Sequence, residues 1–105
     1  MDQSDGILWE LELLKQATDE MQKGNSQKAL PLLNEVLFVN PIQGWHVYYA
    51  RGLVYANLSN YQKAIEDFDR ASKILQDSFN KGEIDIDTFA NSLAEILFHK
   101  GVVEG

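Results

Sequence analysis

Apolar residues recur along this chain with the spacing of helices, in five stretches divided by short polar breaks. The first stretch starts near Ser4 or Asp5, either of which can cap a helix. It sets Ile7, Leu11, Leu14, Thr18 and Met21 on one stripe and Trp9, Leu13 and Ala17 on a neighbouring one. So wide an apolar arc predicts a helix with two sets of neighbours. Lys23-Gly24-Asn25 ends it, with Gly24 as the left-handed residue and Asn25 as the cap of the next helix. That second helix is predicted over about 26–39, apolar at Ala29, Leu30, Leu32, Leu33, Val36, Leu37 and Val39, and better buried than the first. Pro31 falls within its first two turns, where a missing amide donor costs up to about 3 kcal/mol and predicts a local bend. Asn40-Pro41 stops this helix, because the residue before a proline is pushed out of the α region.

A third helix is predicted over about 44–57 and a fourth from Asn60 or Tyr61, with Ser59-Asn60 as the turn between them. Phe68, Ala71, Leu75 and Phe79 carry the fourth helix's stripe to about residue 81, and Gly82 is its C-terminal glycine. Glu83-Ile84-Asp85-Ile86-Asp87 reads as the connection, with Asp87 capping a fifth helix that ends at Lys100-Gly101. Gly52 stands in mid-helix, which costs about 1 kcal/mol relative to Ala. Close packing offsets that cost if Gly52 meets Ala64, and Ala17 meets Ala29, where each helix pair crosses at about 8–10 Å. Tyr48, Tyr55 and Phe68 then fill the space on either side.

Tyr48, Gly52, Tyr55, Ala64, Phe68 and Ala71 fall at the spacing of the tetratricopeptide repeat (TPR), which this stretch resembles. Two positions depart from the motif: Arg51 stands where Leu is usual, and Gln76 where the closing Pro is usual. A shift of 35 residues superposes Leu13 on Tyr48, Ala17 on Gly52, Ala29 on Ala64, Leu33 on Phe68 and Val36 on Ala71, and puts Pro41 at the closing-proline position. Glu20 replaces the motif's Tyr in this first copy. A partial third copy occurs at Ala90, Leu93, Ala94 and Leu97. Gly52 and Ala94 are 42 residues apart, and the excess of seven is two helical turns, which the longer fourth helix absorbs.

The resemblance implies an all-α fold, a right-handed α-solenoid of antiparallel helix pairs in one domain over residues 1–105. Its units would be a repeat over about 10–43, a second over about 45–78 with its last helix extended to about 81, and a capping half-repeat over about 87–100. It further implies a non-enzymatic module whose first helices line a concave groove for a peptide or helix of another protein. The groove positions that carry over are Leu14, Lys15 and Thr18, then Tyr49, Leu53 and Asn57, then Asn91, Glu95 and His99. One subclass of the family grips the carboxylate terminus of heat-shock chaperones with Lys, Asn and Arg. The matching positions here are Leu14, Thr18, Ala50, Thr88 and Ser92, so that clamp is not expected. The groove mixes apolar, aromatic and amide groups, which suits an uncharged or basic segment.

Nine Lys and Arg against sixteen Asp and Glu give a formal net charge of −7 with no basic cluster, so nucleic acid is not expected as a partner. Absence of cysteine removes disulfides, thiolate metal sites and thiol catalysis. Asp2 and Asp5 stand where an export signal would carry Lys or Arg, and no apolar run is long enough to cross a bilayer, so a cytoplasmic protein is expected. Glu83, Asp85 and Asp87 lack the length, central Gly and closing Glu of a calcium loop and read as capping and solvation. Glu95 and His99 share a helix face, but His46, the other histidine, lies near the opposite end of its own helix. No metal site is expected. No Ser-His-Asp grouping, glycine-rich phosphate loop or paired-carboxylate motif stands out, so neither catalysis nor a cofactor is expected. The rival reading is self-assembly. Ala90, Ala94 and Leu97 face away from the preceding helices, and either Val102-Val103 folds back across them or a second copy covers them in a symmetric dimer, the favoured expectation.

Overall fold

The computed structural model describes residues 3–40 and 44–104, with side chains from residue 9 onward. Five α-helices account for its regular structure, and no strand occurs among the described residues: α1 (Gln3–Gln22), α2 (Ser26–Val39), α3 (Trp45–Asn57), α4 (Tyr61–Asn80) and α5 (Ile86–Glu104). They belong to two compact units, residues 1–42 and 43–105.

Three of the helix ends close in one way. After α1, Gly24 takes a φ of 81°, Gly24 N–H donates to the Met21 carbonyl at 3.0 Å and Asn25 N–H to the Glu20 carbonyl at 2.8 Å. After α4, Gly82 (φ 76°) repeats the pattern with donation to Phe79 at 3.0 Å and from Glu83 to Ser78 at 2.9 Å. Ser59 does the same after α3 with a φ of 63°, donating to Ala56 at 3.0 Å while Asn60 donates to Tyr55 at 2.8 Å. In each case a left-handed residue reverses the chain and satisfies two orphan carbonyls. Gly24 and Ser59 are related by the same shift of 35 residues as the core positions.

In the first unit α1 and α2 pack as a helical hairpin. Leu13, Ala17, Ala29, Leu33 and Val36, the five positions that the shift superposes on the second copy, are all buried. The broad apolar arc expected of α1 is only partly covered. Leu11 is 56% exposed, Trp9 and Thr18 are exposed, and the Ile7 side chain lies outside the described residues. Within this unit α1 has one partner helix, which covers one face. Ser4 and Asp5 lie inside α1 rather than at its start. Asn25 occupies the N-cap position of α2 without a side-chain capping bond, because its amide donates instead to Glu20 Oε2 at 3.0 Å. α2 runs uninterrupted through Pro31, which is exposed, and Pro41 lies outside the described residues.

In the second unit α4 packs against both α3 and α5. Ala64, Phe68, Ala71 and Leu75, at helical spacing on α4, form a fully buried core with Ile96 of α5, and Tyr48, Leu53, Phe89 and Leu93 pack around it. A fully buried Leu, Ile or Phe side chain contributes about 1.5–3 kcal/mol. The extension of α4 is held by Phe79, whose ring stacks on Phe89 of α5 with centroids 4.5 Å apart. Gln76, at the closing-proline position, lets the helix continue and donates one turn onward to Asn80 Oδ1 at 3.0 Å.

Two boundaries of α5 differ from expectation. Asp85, not Asp87, caps it, accepting from Thr88 N–H at 2.7 Å, so Asp87 sits in the first turn. The helix also continues through Gly101 to Glu104. Val103 packs on the core and Lys100 bridges Asp69 of α4 at 2.8 Å and Glu104 at 3.5 Å. These contacts outweigh the cost of a helical glycine, about 1 kcal/mol. Val102-Val103 therefore does not fold back as a separate segment.

Candidate functional site

Residues 49, 53 and 57 lie on one line along α3, and 91, 95 and 99 on one line along α5, because four residues are slightly more than one helical turn. Contact between the helices brings three of these six expected residues together. Tyr49 Oη donates to Glu95 Oε1 at 3.0 Å, and the Tyr49 and His99 rings meet edge to face with centroids 5.7 Å apart. His99 reaches inward as well, 6.5 Å from the Phe68 ring. Trp45, one turn before Tyr49, adds a further ring at 5.8 Å from it. Partial burial, followed by the hydrogen bond to Glu95 and its charge, pushes the Tyr49 phenol well above its usual range, so Tyr49 stays a donor at any physiological pH.

The other expected residues surround this group or stand apart from it. Leu53 is half-buried against the core, and Asn57 and Asn91 are exposed. On α1, Leu14 is half-buried and Lys15 exposed, while the Thr18 hydroxyl donates to the Leu14 carbonyl at 2.9 Å. A hollow of about 340 Å³ in the first unit lies elsewhere, among Asp19, Glu20, Lys23 and Lys28. On the outer face of α5, Ala90, Ala94 and Leu97 are exposed together with Ile86, Phe98 and Val102. Among the described residues no group of three or more His, Asp or Glu is placed to hold a metal ion, and no helix is long and apolar enough to cross a membrane.

Asp67 was not singled out from the sequence. It is fully buried on α4 and takes two hydrogen bonds from Arg51 of α3, Nε to Oδ2 at 2.7 Å and Nη2 to Oδ1 at 2.9 Å, and a third from Arg70 at 2.9 Å. The Arg51 guanidinium also lies 5.7 Å from the centroids of both Tyr48 and Tyr55. The available signal was the basic residue at a position where the resemblance calls for Leu, which needs an acid across the helix crossing.

Gly52 is where α3 and α4 approach closely. A Cβ at this position would stand 2.6 and 2.8 Å from two atoms of the Phe68 ring and 3.3 Å from the Ala64 carbonyl oxygen. Phe68 thus covers Gly52 directly instead of filling space beside it. Aromatic over glycine, small residue opposite and a helix pair joined by a short turn are the packing of one helical repeat. Residues 46–78 match the family model of the tetratricopeptide repeat. They form a tetratricopeptide repeat. The match spans α3 from its second residue and all but the last two residues of α4, about a third of the chain. Repeats of this family generally mediate contacts with other proteins and are not enzymes. Comparison with curated proteins and comparison with solved structures each returned no match.

Proposed function

We propose that this chain binds a peptide or helix of a partner protein across the face formed by α3 and α5, beside the tetratricopeptide repeat. The observation that carries the reading is the meeting of Tyr49, Glu95 and His99, residues from two helices, flanked by exposed Asn57 and Asn91. Aromatic rings and a carboxylate held in place by their neighbours lose little freedom when a partner docks. In the first unit Leu14 and Thr18 stand at positions related to Tyr49 and Leu53 by the shift of 35, and with Lys15 they are assigned the same role. Selection of short random peptides on the immobilised chain tests the proposal. Peptides enriched by the parent should be lost by Asn57→Arg with Asn91→Arg, which change exposed residues and leave the melting temperature unaltered. Peptides bound equally by parent and variant place binding elsewhere.

The apolar outer face of α5 favours a second reading, a dimer in which Ala90, Ala94 and Leu97 of two copies meet. Ile86 at 60%, Phe98 at 67% and Val102 at 65% exposure extend the same face.

A further inference from the structure

Trp45 and Tyr49, both half-buried, pack ring against ring with planes inclined by 45° and centroids 5.8 Å apart. Beside Tyr49 stands Glu95, whose carboxylate accepts from the Tyr49 hydroxyl at 3.0 Å. A carboxylate accepts about four hydrogen bonds, and Tyr49 takes one of them. Glu95 is exposed, and no Lys or Arg forms an ion pair with it among the described residues. The cationic side chains on α3 and α5 are engaged elsewhere: Arg51 with buried Asp67, Lys100 with Asp69 and Glu104. The face therefore presents an exposed carboxylate with no basic partner among the described residues, beside half-buried aromatic rings, in a chain whose net charge is −7.

We infer that the α3–α5 face selects a basic segment, pairing a Lys or Arg side chain with Glu95 beside Tyr49 and Trp45. The exposed carboxylate supplies a charge-assisted hydrogen bond, and the neighbouring rings give the aliphatic stem of the basic side chain an apolar surface. The acidic surface as a whole speeds the encounter of such a segment and repels an acidic one. The inference rests on the binding role proposed above and adds the chemistry of the partner.

The same peptide selection carries the test a step further. Peptides that depend on Asn57 and Asn91 should be enriched in Lys or Arg. The consensus peptide should bind the parent at least about tenfold more tightly than its analogue with acetyl-lysine or citrulline at the basic position. Glu95→Gln, a change at an exposed residue, should remove that preference while leaving the melting temperature unaltered, and Tyr49→Phe should reduce it by releasing the carboxylate. An equal affinity for charged and neutral analogues, or a preference that survives Glu95→Gln, overturns the inference. Selected peptides without basic residues that still require Asn57 and Asn91 overturn it too, yet leave the binding face standing. Peptides that require neither asparagine remove both.

Discussion

Arg51 on α3 holds the buried carboxylate of Asp67 on α4 through two hydrogen bonds, 2.7 and 2.9 Å long, across the crossing of the repeat's helices. Bidentate geometry specifies angle as well as distance, so the pair sets the register of the crossing. The bond to Asp67 raises the Arg51 pKa, so the guanidinium keeps its charge.

Removing one partner leaves a charge buried and under-compensated, which costs about 3–5 kcal/mol when the pair is fully enclosed. Arg51 retains 16% exposure and Arg70 still reaches Asp67. Arg51→Leu, which restores the residue usual in the repeat, is therefore expected to cost about 2–3 kcal/mol. Arg51→Leu combined with Asp67→Leu should recover most of that loss. Urea melts of the two singles and the double, read as a double-mutant cycle, measure the coupling.

Ser59 adopts the left-handed conformation that Gly24 and Gly82 adopt at the other two helix ends. A side chain there costs about 1 kcal/mol. Ser59→Gly is expected to raise the stability by about 0.5–1 kcal/mol, seen as a higher urea midpoint with an unchanged slope.

For Gly52→Ala, helix propensity favours the variant by about 1 kcal/mol. Contacts of 2.6 and 2.8 Å with a Phe68 ring that has no room to move oppose it. Overpacking of this kind costs about 1–3 kcal/mol, so a net loss is expected, with partial recovery in Gly52→Ala combined with Phe68→Leu. A thermal melt in which Gly52→Ala exceeds the parent would contradict the close approach.

Asp85 caps α5, and the hydrogen bond from Thr88 N–H lowers its pKa in the folded chain. A carboxylate whose folded pKa is depressed contributes stability above its unfolded value, about 3.9, and that contribution disappears as pH falls through the folded value. Asp85→Asn keeps a capping oxygen but no titrating proton. Its stability should vary less than the parent's below about pH 4, as measured by urea melts along an acid series. Identical acid sensitivity of the two chains would place the titration at other carboxylates.

Leu97 is 49% exposed at the centre of the apolar face of α5. If two copies meet there, sedimentation equilibrium should show a concentration-dependent dimer that Leu97→Glu dissociates. A parent that remains monomeric at high micromolar concentration removes the dimer reading, and a dimer indifferent to Leu97→Glu moves the interface off this face.

Helix number, the turns at Gly24 and Gly82 and the copy separated by 35 residues were legible in the sequence, because each rests on local chemistry. Period comes from the backbone, a left-handed turn favours glycine, and buried positions such as Ala29 and Ala64 recur at fixed offsets. The line of Tyr49, Leu53 and Asn57 was legible on the same grounds. Periodicity assigns a residue to a face of its own helix, but it does not say which side chain stands opposite. Only the tertiary structure decided that Asp67 answers Arg51, that Phe68 covers Gly52, and that Tyr49 reaches Glu95 and His99. The last turn of α5 belongs to the same class, since Gly101 weakens the helix locally and the packing of Val103 on the core sustains it.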